Sequence, residues 1–71
     1  MRLVIETETE KLFFDLPKGS DKTVLETSLL KDMNGNNLPF IQFTDADGNN
    51  ILINKNKIIY IKIDEVVSIF Q

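Results

Sequence analysis

The densest set of oxygen donors in this chain is Asp45-Ala46-Asp47-Gly48-Asn49-Asn50. Carboxylates spaced two apart beside a glycine are what a calcium loop uses, because a hard cation takes oxygen ligands from a tightly turned backbone. The register speaks against that chemistry. With Gly48 at the glycine position of a helix–loop–helix site, the first ligand position falls on Phe43 and the last on Asn54. Phe43 has no donor atom, and Asn54 lacks the carboxylate needed for bidentate coordination. The flanks, Phe40–Asp45 and Ile51–Ile53, read as strands. The motif is therefore expected to be a hairpin turn, with no metal site. Pro17-Lys18-Gly19-Ser20 ahead of a helical stretch has the residue types of a phosphate loop in the wrong order and without an upstream glycine, so it is expected to be a loop and helix cap.

Catalysis finds no constellation. The chain has no His and no Cys, which removes His-assisted nucleophiles, thiolates and Cys/His zinc sites together. Glu6, Glu8, Glu10 and Asp15 supply carboxylates. They would share one side of an extended strand or crowd a hairpin tip, where no cleft separates an acid from a base. The expectation is no enzyme, no cofactor and no small-molecule substrate. The basic counterpart is Asn54, Lys55, Lys57 and Lys62, with Tyr60 as the aromatic of that window. A lysine–asparagine edge with one stacking ring is a surface for single-stranded nucleic acid, and it defines the alternative reading, a nucleic-acid-binding regulator. The net charge of −3 and the single arginine, Arg2, weigh against it, since affinity for phosphates rests on neutralising them.

The elements that must position these residues follow from periodicity. Residues 2–6 and 11–16 read as two strands, the second with Leu12, Phe14 and Leu16 on one face and ended by Pro17. Residues 20–33 read as the one helix, capped by Ser20 or Asp21, with Val24, Leu25, Leu29 and Met33 as its apolar stripe. Gly35 is expected to close it in the left-handed conformation. From Phe40 to Ile63 the chain reads as a meander of three strands: Phe40–Asp45, the Asp47-Gly48 turn, Ile51–Ile53, a polar bend at Asn54–Lys57, then Ile58–Ile63 as a strand that is central or sits in a curled sheet. The run of a glycine turn, Ile51-Leu52-Ile53-Asn54 and Ile58-Ile59-Tyr60-Ile61 resembles the closing strands of small antiparallel barrels. It carries no functional residue. Residues 64–70 fit a strand or a helix, with a lean to strand.

Seventy-one residues make a single small domain, 1–71, with a modest core. No apolar run spans a bilayer, and the early acidic residues do not fit a signal peptide, so a cytoplasmic protein is expected. The bias toward Asn, Lys and Ile, with Ala46 as the one alanine, fits AT-rich coding of bacterial, phage or plasmid origin.

The expected fold is α+β: about five antiparallel strands in the order ββαβββ with one helix packed on them, curled in the limit into a partial barrel. The core is expected to be Leu3, Ile5, Leu12, Phe14, Leu25, Leu29, Ile41, Phe43, Ile51, Ile53, Ile59, Ile61 and Ile63. The other sheet face would carry Val4, Phe13, Phe40, Leu52, Ile58 and Tyr60, more than one helix can cover. That surplus points to a protein-binding or self-associating accessory module, partnered by a second copy or another protein, with Phe40, Ile58 and Tyr60 as the contact residues.

Overall fold

The computed structural model describes residues 1–35 and 37–65. The expected element order holds: β1 (Arg2–Thr7), β2 (Lys11–Asp15), α1 (Lys22–Asn34), β3 (Phe40–Thr44), β4 (Asn50–Asn54), a 3-10 turn (Lys55–Lys57) and β5 (Ile58–Asp64). The fold is α+β with antiparallel pairing throughout. The five strands divide between a three-stranded sheet, ordered β2-β1-β5, and a two-stranded sheet, β3-β4, with no closed barrel. Residues 66–71, and with them most of the ambiguous tail, lie outside the described residues.

The meander is corrected at its second bend. β3 and β4 form a hairpin, but β5 leaves β4 and pairs with β1. The cause is local. Asn54 Oδ1 accepts from the Asn56 amide at 2.9 Å and winds Lys55–Lys57 into a 3-10 turn, which redirects the chain instead of folding it back on β4. The central strand of the larger sheet is therefore β1, and β5 is an edge. Leu3, Val4 and Ile5 are all buried, as a strand flanked on both sides requires.

The hairpin joining β1 to β2 has no glycine. Thr7 takes over the turn: its amide donates to the Glu10 carbonyl at 2.8 Å, and its hydroxyl oxygen accepts from the Glu10 amide at 3.2 Å. A short hydroxyl side chain can do this locally, which is why threonine serves in turns. Helix α1 starts at Asp21, whose carboxylate accepts from the Val24 amide at 3.1 Å. Ser20 instead donates its hydroxyl to the Pro17 carbonyl. Gly35 is not left-handed: its φ is −115° and its amide donates to Lys31 O at 2.6 Å. Glycine still suits the position, because a Cβ there would stand 3.0 Å from that same carbonyl.

The core is Leu3, Ile5, Leu16, Leu29, Ile41 and Phe43, with Leu12, Phe14, Leu25, Met33, Ile51, Ile53, Ile58, Ile61 and Ile63 packed around it. Phe14 of the larger sheet meets Phe43 of the smaller edge-on, ring centroids 5.0 Å apart. Val24 lies on the exposed side of α1. Two isoleucines exchange the places expected of them. Glu6 pairs with Tyr60 but Thr7 pairs with Ile58, so Ile59 is the extra residue of a β-bulge. The bulge reverses the alternation: Ile58 turns into the core and Ile59 is 59% exposed.

Candidate interaction surfaces

The Asp45–Asn50 motif is the β3–β4 turn. The Gly48 amide donates to the Asp45 carbonyl at 3.0 Å, Gly48 has φ +84°, and the Asp45 amide donates to Asn49 O at 3.0 Å. This is a tight turn followed by a left-handed residue, the position glycine occupies without steric cost. The Asp45 carboxylate faces its own backbone. Oδ1 accepts from the amides of Asn49 (2.9 Å) and Asp47 (3.0 Å), and Oδ2 accepts from Asn49 Nδ2 at 3.3 Å. These donors, the Asn49 amide foremost, hold the carboxyl below its ordinary value. Because the folded form is the more acidic, the turn's contribution is complete above the ordinary carboxylate range and is lost as pH falls through the lowered value. Asp45→Asn is therefore expected to melt below wild type near neutral pH, with the gap closing under acid. Paired thermal melts from about pH 6 to about pH 2 check this, and a gap that does not change with pH would refute it.

Two residues of the nucleic-acid set are engaged within the fold. Lys55 Nζ donates to the Asp32 carbonyl at 2.9 Å, closing the C-terminal turn of α1 from the far side of the chain. Asn54 spends its side-chain oxygen on the 3-10 turn. Lys57 is exposed on that turn, and Lys62 projects from β5. The three contact residues expected from sequence are dispersed. Phe40 is half-buried at the start of β3, Ile58 packs against the core, and Tyr60 stands on the larger sheet at 41% exposure.

The pairing registers bring together a different set. On the face of the larger sheet away from the core, successive rows read Asp15–Arg2–Asp64, Phe13–Val4–Lys62 and Lys11–Glu6–Tyr60. Val4 is only 7% exposed although α1 lies on the opposite side, since cross-strand neighbours flank it on both sides. Phe13 is 57% exposed, with the Arg2 guanidinium 5.9 Å from its ring centroid. Arg2 also pairs with Asp15 at 3.4 Å, and Lys11 with Glu6 at 3.8 Å. Sequence reasoning placed Phe13 and Tyr60 on one face but could not place them in one sheet on either side of β1, because that depends on β1 lying between β2 and β5.

Two further features are open. An apolar groove of about 210 Å³ runs between α1 and β5, floored by Leu29, Met33, Ile61 and Ile63. It is below the roughly 300 Å³ at which small-molecule sites begin. The outer edge of β4 carries no paired strand among the described residues. No described helix is long and apolar enough to cross a membrane, and no group of three metal-ligating side chains occurs among the described residues. No protein-family model matches the chain, and no curated protein matches it.

Proposed function

We propose that this chain is a small, non-enzymatic interaction module of the cytoplasm that binds another protein through the face of its three-stranded sheet that points away from the core. The observation that carries the reading is the row Phe13–Val4–Lys62 with Tyr60 beside it: two exposed aromatics around a buried valine, bordered by charge of both signs. Aromatic anchors within a polar rim are the composition of protein-binding patches. The same face argues against a phosphate partner. Its cations are Arg2, Lys11 and Lys62 and its anions Glu6, Asp15 and Asp64, so three charges of each sign cancel. A nucleic-acid footprint needs a single-signed field.

A photo-crosslinking residue at position 13 or 60, compared with one at the exposed helix residue Thr27, tests the assignment in cells. Discrete adducts are expected from the first two positions alone. The complex rebuilt from purified components should weaken about thirtyfold on Tyr60→Ala, a loss of about 2 kcal/mol for an anchoring aromatic. Salt-sensitive binding of a labelled single-stranded oligonucleotide, abolished by Lys57→Glu with Lys62→Glu, would overturn the reading in favour of the nucleic-acid regulator. Lys55 is left intact in that variant because it holds the helix end.

A further inference from the structure

We infer that β4 is a self-pairing edge: two copies of this chain join through antiparallel β4–β4 addition about a two-fold axis at Leu52. This assigns a second surface, on the far sheet from Phe13 and Tyr60, and a defined partner for it.

The first argument is hydrogen-bond phase. The β3–β4 ladder is bracketed by the Asp45 amide donating to Asn49 O and the Lys55 amide donating to Pro39 O, both at 3.0 Å. Antiparallel strands exchange bonds at every second pair. The inward pairs are therefore Ile41 with Ile53 and Phe43 with Ile51. The backbone groups of Asn50, Leu52 and Asn54 then point outward along the free edge. The opposite edge confirms the phase, because the Gln42 amide points away from β4 and donates to Asp32 Oδ2 at 3.1 Å. Helix α1 thus covers the β3 edge, and nothing among the described strands pairs with that of β4.

The second argument is the sequence of that edge. β4 reads Asn50-Ile51-Leu52-Ile53-Asn54, which is the same in both directions. An antiparallel copy centred on Leu52 sets Leu52 against Leu52, Ile51 against Ile53 and Asn50 against Asn54. The outward groups at Asn50, Leu52 and Asn54 then face each other in the phase that lets them exchange bonds. Leu52, 53% exposed, gains an apolar cross-strand partner, and the two isoleucines extend the core face. The five residues hold no lysine, proline or other device that blunts an edge.

The third argument is charge. The strand is preceded by Asp47 and followed by Lys57, both exposed. A two-fold axis at Leu52 brings the acidic end of one copy to the basic end of the other. An isologous contact of this kind closes at two copies.

Light scattering over a concentration series tests the inference directly. The mass is expected to rise from 8.1 kDa to twice that value. Leu52→Lys should hold the protein monomeric, because it sets like charges opposite each other. Leu52→Pro should do the same while sparing the β3 ladder, since the amide it removes points outward. Far-UV circular dichroism of both variants should match wild type. As the chain has no cysteine, Leu52→Cys treated with a short bis-maleimide should give a covalent dimer, and Phe13→Cys should not. A wild-type protein that stays monomeric throughout overturns the inference. So does a dimer that ignores Leu52→Lys and cross-links through Phe13→Cys, an outcome that would leave the interaction-module reading standing on the larger sheet.

Discussion

Ile5→Ala is expected to leave the protein at the margin of folding, whereas Ile59→Ala is expected to leave it almost unchanged. Ile5 is fully buried at the centre of β1, between Leu12 on one side and Ile61 on the other. Removing a buried isoleucine side chain costs about 2–5 kcal/mol, from lost transfer energy and the cavity left behind. A chain of 71 residues has only about 4–10 kcal/mol in total. The central strand also has little room to relax, because both neighbours are held to it by ladder bonds. Ile59 is the bulge residue and faces solvent, so its loss belongs with surface changes of about 0.5 kcal/mol or less. Urea denaturation of the two variants against wild type reads the contrast. Equal shifts in midpoint would mean that the bulge at Ile59 is misplaced and that Ile58, Ile59 and Tyr60 alternate regularly.

Phe43→Ala should produce the other large loss, and for a different reason. Phe43 is buried on β3 and packs edge-on against Phe14 of β2, so it is a bond between the two sheets. Truncating a buried phenylalanine costs about 3–5 kcal/mol. A second fixed link lies at the same end, where the Ala46 amide donates to Asp15 O at 2.9 Å. The pair itself should show coupling of about 0.5–1.5 kcal/mol in a Phe14→Leu, Phe43→Leu double-mutant cycle, since T-shaped rings gain beyond their buried area. A coupling indistinguishable from zero would mean that the rings are merely neighbours. A hydrogen-exchange experiment on Phe43→Ala should show the β3–β4 amides losing protection before those of β1, as the smaller sheet is the piece this residue anchors.

How far these features were legible in the sequence depends on the range of the forces involved. The element list rests on local chemistry and was readable. Asp21 offers its carboxylate to free amides, Pro17 halts a strand, Gly48 accepts a left-handed turn, and Leu12 and Phe14 share one strand face by period-two alternation. The hairpin turn at Asp45 was readable for the same reason. The Thr7 turn was half hidden, since a hydroxyl that replaces glycine in a hairpin is recognisable only once the turn is known to be there.

The interaction surfaces were not readable, because each is a product of pairing. Phe13 and Tyr60 are 47 residues apart and come onto one sheet face only because β1 lies between their strands. Lys55 looks like part of a basic edge until the fold carries it to the carbonyl of Asp32. Residue types along a chain set which segments extend, coil or turn, as those preferences act over a few bonds. Which strand sits at the centre is settled by burial of whole faces, and a run such as Ile58-Ile59-Tyr60-Ile61, apolar on both sides, fits several arrangements equally well. Here the choice fell to a 3-10 turn that sent β5 to β1 and to one bulge that exchanged Ile58 for Ile59. The consequence is an edge at β4 that no strand of its own chain covers among the described residues.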